Sequence, residues 1–136
     1  MNMKKRIINS IPFLIVGIIV LYAWVQIMTT EYAATWRQYV ALALVGINAV
    51  LYFVKFKHAI LLTGVILLLA TFNLLSFFTV VQTSYMRIVN VTTPEIQLKS
   101  LALLVIYGVI NFNFLVDWYL DVREDGAKKK IENQSK

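Results

Sequence analysis

The stretch that decides the fold is Ile7–Met28, IINSIPFLIVGIIVLYAWVQIM, which carries no acid and no base. Three similar stretches follow: Trp36–Val54, Ala59–Val81 and Leu98–Val116. None contains Asp or Glu, and Arg37 and Lys99 sit at the edges of the second and fourth. Each holds about 19–23 residues, and a hydrocarbon core of about 30 Å needs about 20 helical residues at about 1.5 Å each. Backbone polar groups in hydrocarbon must be paired within helices or closed barrels. No alternating strand pattern is present, so four transmembrane helices are expected.

Short connectors force neighbouring helices to run antiparallel. The expected architecture is an all-α polytopic membrane protein, a four-helix bundle with up-down-up-down topology over residues 1–122. A charged tail over 123–136 is expected to be disordered or frayed. A cleaved leader is a poor reading of the first stretch. Its apolar run exceeds the usual 7–15 residues or so, and no small-residue cleavage site follows.

Composition agrees. Hydrophobic residues make up 60% of the 136-residue chain and charged residues 15%, against about 45–50% and about 25% in soluble domains. No connector is long enough to bury a soluble core of its own. The chain has no Cys, which excludes disulfides, thiolate metal sites and thiol redox chemistry. A single His cannot supply two axial haem ligands. No cofactor and no metal are expected, and no hydrolase, zincin, P-loop or dinucleotide-binding motif is present. An enzyme is therefore not expected.

The net charge of +6 is an orientation signal rather than a nucleic-acid signal. Of the 13 Lys and Arg, ten fall in the N-terminus (Lys4, Lys5, Arg6), the second connector (Lys55, Lys57) and the tail (Arg123, Lys128, Lys129, Lys130, Lys136). The first and third connectors have only Arg37, Arg87 and Lys99. Short cytoplasmic segments carry the Lys/Arg excess. Both termini are thus expected in the cytoplasm, in a bacterial inner membrane. Trp24 and Trp36 would mark the outer interface and Trp118 the inner one.

Local chemistry suggests helix starts. Thr35 with Gln38, and Thr92 with Glu95 and Pro94, read as capping boxes, and Ser10 as a cap ahead of Pro12. Polar groups in spans are costly and point inward or to partners. Asn48 and Asn111 lie at matching depth and are expected to form one hydrogen-bonded layer. Asn73 is expected to form another with Tyr22. Asn113, Asp117 and Asp121 recur every four residues and share one face of the fourth helix. Asp117 is expected to be neutralised by Lys55, Lys57 or the Lys4–Arg6 cluster. Small residues (Ala43, Gly46 and Ala49, with Gly17, Gly64 and Gly108 elsewhere) suggest close helix approach. In the Gln82–Gln97 connector, Tyr85, Met86, Arg87 and Ile88 form an amphipathic surface suited to an outer partner. The Asn90-Val91-Thr92 sequon there is read as coincidental.

Two functions fit. The first is a non-enzymatic accessory or anchor subunit, or assembly factor, of a membrane complex, an immunity-type inhibitor of a membrane toxin included. The second is a homo-oligomeric small channel or transporter with a polar path on helices 2–4. Either way the expected partners are the lipid bilayer and another transmembrane protein or a second copy, with no nucleic acid.

Overall fold

The computed structural model describes residues 3–30, 33–79, 83–84, 87–88, 91–92 and 96–134, with side-chain surroundings given for those up to 79 and from 96 to 124. The described residues form four helices: α1 (Met3–Thr29), α2 (Trp36–Val54), α3 (Phe56–Thr71) and α4 (Leu98–Gln134). They pack as the up-down-up-down bundle that the four apolar stretches imply. Contacts at the two ends establish the topology. At one end Arg6 lies 4.8 Å from the Phe56 ring and Lys57 meets Asp121 at 4.0 Å. At the other, the Trp24 and Tyr39 rings meet edge to face at 5.1 Å. The first, which gathers Lys4–Arg6, Lys55 and Lys57, is the basic end.

The α2–α3 reversal is compressed into one residue. The Lys55 amide donates to the Leu51 carbonyl, and the Lys55 carbonyl accepts from His58 and Ala59. It therefore closes one helix and opens the next. Antiparallel packing follows at once, with the Asn48 amide of α2 donating to the Thr63 hydroxyl of α3 at 2.8 Å.

The shortest helix, α3, is the centre of the bundle, with seven of its 16 residues buried. Ala59, Thr63 and Ala70 keep it slim enough for α2 and α4 to pack on both sides. The core runs from Val16 and Val20 of α1 through Ala41 and Val45 of α2 to Ile60, Ile66 and Leu67 of α3 and Tyr107 of α4. Gly64 is the close-approach point. A Cβ built there would lie 2.8 Å from the Tyr107 hydroxyl oxygen and 2.9 Å from two ring carbons. That hydroxyl donates to the Ile60 carbonyl at 2.9 Å, one turn away. Gly17, Gly46 and Gly108, by contrast, meet nothing within 4 Å. Ala43 and Gly46 are exposed and Ala49 is half-buried, so among the described residues this small-residue face of α2 is only partly covered.

Four boundaries differ from the sequence expectation, one being the start of α3 at Phe56 rather than Ala59. The apolar stretch Ala59–Val81 is not one helix, because α3 stops at Thr71. Asn73 adopts a left-handed conformation, φ 58°. Its amide donates to the Ala70 carbonyl and the Leu74 amide to the Leu69 carbonyl. This is the Schellman pattern with Asn rather than Gly in the left-handed position. Apolarity set the expected boundary, whereas backbone conformation sets the real one. At the other two ends helix outlasts the apolar run. Basic residues extend α1 back to Met3, and α4 continues to Gln134 through the tail expected to be frayed. Lys, Glu and Ala are strong helix formers outside the membrane as well as near it.

Two expected caps also move. Ser10 lies inside α1, its hydroxyl donating to the Arg6 carbonyl at 2.7 Å, and Pro12 is buried within the same helix. Thr92 belongs to a strand rather than a helix start. The Gln82–Gln97 connector contains two short antiparallel ladders. β1 (Thr83–Ser84) pairs with β4 (Ile96–Gln97), and β2 (Arg87–Ile88) with β3 (Val91–Thr92). Its β-branched residues suit that geometry. The Thr35–Gln38 cap stands, with Gln38 Oε1 accepting from the Thr35 amide at 2.8 Å.

Candidate functional site: a clasped turn and a charged cleft

Polar side chains gather in three places. The first follows from the early end of α3. Beyond Asn73 the chain runs without helix from Leu74 to Thr79, and Leu75, Ser76 and Phe77 are buried. Non-helical backbone at membrane depth survives only where protein supplies its hydrogen bonds. Two glutamines do so, Gln97 and Gln38, and a third, Gln26, holds a side chain of the same run. Gln97 Nε2 donates to Asn73 Oδ1 at 2.7 Å and to the Leu75 carbonyl at 2.9 Å. Gln38 Nε2 donates to the Phe78 carbonyl at 3.2 Å. Gln26 Oε1 accepts from the Thr79 hydroxyl at 2.6 Å. Ser100 donates to Gln97 Oε1 at 3.0 Å and so fixes which way that amide points.

Asn73 is therefore a helix terminator clasped by Gln97, not the partner of Tyr22. The Tyr22 hydroxyl instead accepts from Gln26 at 3.0 Å. Gln26, Gln97 and Ser100 were not singled out from sequence, and Gln38 only as a cap. Their available signal was position: amides at the edges of apolar stretches, where a break in α3 needs donors.

The second place is the bundle centre. Asn48 and Asn111 are both fully buried, but they do not pair. Asn48 donates to Thr63, and Asn111 donates to the Tyr107 carbonyl of its own helix at 3.3 Å. Both side-chain oxygens are buried without a hydrogen-bond partner among the described residues. Since an Asn–Asn bond needs one of those oxygens as acceptor, the expected layer is absent. Matching depth was legible; the rotation of each helix about its axis was not.

The third place is a cleft of about 840 Å³ at the basic end, between α1, the start of α3 and α4. Lys5, Lys57, Asn113, Asp117 and Asp121 are on its walls, and Ile110 and Phe114 line it further toward the bundle centre. The periodic stripe Asn113–Asp117–Asp121 thus forms one wall. Asn113 and Asp117 are exposed. Lys57 pairs with Asp121, rather than with Asp117 as expected, and both side chains are 69% exposed. Of the connector residues, Tyr85 and Met86 lie outside the described residues, as does Asn90. Arg87 and Ile88 form β2. No group of His, Cys, Asp and Glu able to hold a metal occurs among the described residues.

Comparison with protein-family models, curated proteins and solved structures finds no match. The class rests on the fold itself. Met3–Thr29, Trp36–Val54 and Leu98–Glu124 are each long and apolar enough to cross a membrane, and Phe56–Thr71 is a shorter apolar helix. The chain is an integral membrane protein.

Proposed function

We propose that this chain is a non-enzymatic accessory or anchor subunit, or assembly factor, of a membrane complex, acting through helix–helix contacts. One observation carries the reading. The polar groups near the far end and the Asn48–Thr63 and Tyr107–Ile60 bonds hold the chain's own fold, while α2 turns an open small-residue face outward. Ala43 and Gly46 are exposed there, and a side chain at Gly46 would meet nothing within 4 Å. Such faces let a second helix approach closely. An immunity-type inhibitor of a membrane toxin is one form of this function. The partner is another transmembrane protein or a second copy. The charge distribution supports a bacterial inner membrane with both termini in the cytoplasm.

The test is purification of the full chain in mild detergent with identification of what accompanies it. A stoichiometric membrane partner, lost in Gly46→Leu while the unfolding midpoint stays unchanged, is the expected result. A chain that purifies alone as a monomer from its native membrane would sink the proposal.

A second reading, a homo-oligomeric channel or transporter, is favoured by the oxygens of Asn48 and Asn111, buried without a partner among the described residues. Reconstituted liposomes decide it. Ion or solute flux that Asn111→Leu or Asp117→Asn abolishes would replace the accessory reading.

A further inference from the structure

The cleft at the basic end has an ordered chemistry. Along α4 the wall runs from Ile110 through Asn113 and Phe114 to the carboxylates of Asp117, Asp121 and Glu124. At about 1.5 Å per residue, Ile110 to Asp121 spans roughly 16 Å. Lys5 of α1 and Lys57 of α3 line the same cleft, and Lys57 Nζ lies 4.0 Å from Asp121 Oδ2. A phospholipid likewise passes from an apolar acyl chain through an ester to a charged phosphate and amine. Trp118, also on the wall, belongs to the residue type that sits at the headgroup level.

We propose that this cleft binds the headgroup of a zwitterionic phospholipid with a primary ammonium, of the phosphatidylethanolamine type. Lys5 and Lys57 take the phosphate, and Asp117 and Asp121 take the ammonium. The volume, about 840 Å³, exceeds that of a single ion by more than an order of magnitude, since one water occupies about 30 Å³. The Lys57–Asp121 pair does not oppose entry. At 4.0 Å and largely exposed, such a pair is weak, and the ligand's phosphate and ammonium replace each partner. An anionic lipid without an amine would leave the carboxylates of Asp117, Asp121 and Glu124 facing its own charge. A choline headgroup has the positive charge but no N–H to donate, and charge-assisted hydrogen bonds are the stronger kind.

The experiment is native mass spectrometry on the full chain, with phosphatidylethanolamine, phosphatidylcholine and phosphatidylglycerol of identical acyl chains in competition. One ethanolamine lipid per chain should be retained, favoured about tenfold over either competitor, as one charge-assisted hydrogen bond provides. Asp117→Asn with Asp121→Asn should bring ethanolamine and choline lipids to parity, and Lys57→Gln should weaken both. These positions are exposed, and helical circular dichroism checks that each variant is folded. Should the variants misfold, the wild-type competition alone decides. Equal retention of all three lipids, preference for the glycerol lipid, or a preference that survives in the folded double variant would each overturn the proposal. None of these outcomes depends on whether a protein partner binds α2.

Discussion

The side-chain amide of Gln97 donates to Asn73 Oδ1 at 2.7 Å and to the Leu75 carbonyl at 2.9 Å. Gln97 is itself buried, just ahead of α4. This relationship ties the residue that ends α3 to the segment that begins α4, and it makes a non-helical run tolerable inside an apolar protein. Gln97→Leu should remove both donations and destabilise the fold by about 2–3 kcal/mol. Gln97→Glu keeps the shape but loses both donations, so it should be at least as harmful. Unfolding midpoints in mixed detergent check this. A Glu variant as stable as wild type would show that the clasp does not contribute.

Asn73 combines two roles that substitution can separate. Its φ of 58° is accessible to Gly and costly for Ala. Both variants lose the oxygen that Gln97 contacts. Asn73→Ala should therefore be less stable than Asn73→Gly by about 1 kcal/mol. Equal stability would mean that the left-handed turn does not persist in the folded protein.

Gly64→Ala should be among the more damaging small substitutions. The added methyl would sit 2.8–2.9 Å from the Tyr107 hydroxyl and ring. Tyr107 cannot swing away without giving up its bond to the Ile60 carbonyl. A loss of about 1–3 kcal/mol is expected. Tyr107→Leu in the same chain removes the obstruction, so the two substitutions should be non-additive. A double-mutant cycle with no coupling would contradict the packing.

Asn111→Leu should be neutral or stabilising. It removes a buried oxygen that has no partner among the described residues and an amide bonded only within its own helix. Asn48→Leu removes an interhelical bond to Thr63 and should cost about 0.6 kcal/mol. If Asn111→Leu proves the more harmful of the two, its oxygen has a partner outside the described residues.

Orientation has its own readout. A reporter fused after Lys136 should be active only in the cytoplasm, as the clustering of Lys and Arg at the basic end implies. Activity on the opposite side would reverse the proposed topology.

The sequence by itself determined four apolar helices and their antiparallel order. Hydrocarbon admits few backbone solutions, and short connectors allow few topologies. It also determined that Asn113, Asp117 and Asp121 share a face, because helical spacing is local. Only the tertiary structure decided where α3 ends. Apolar composition is the same in Ala59–Thr71 and in the run that follows, while the break depends on one left-handed residue and on glutamines from three distant elements. Only tertiary structure, too, decided that Asn48 and Asn111 face different neighbours at one depth. Depth follows from residue count along a helix, but azimuth follows from packing, and here the bulk of Tyr107 against Gly64 is part of that packing. The same distinction governs the cleft. Its acidic wall and the basic clusters near it were legible, but only folding decided that Lys57 meets Asp121 rather than Asp117.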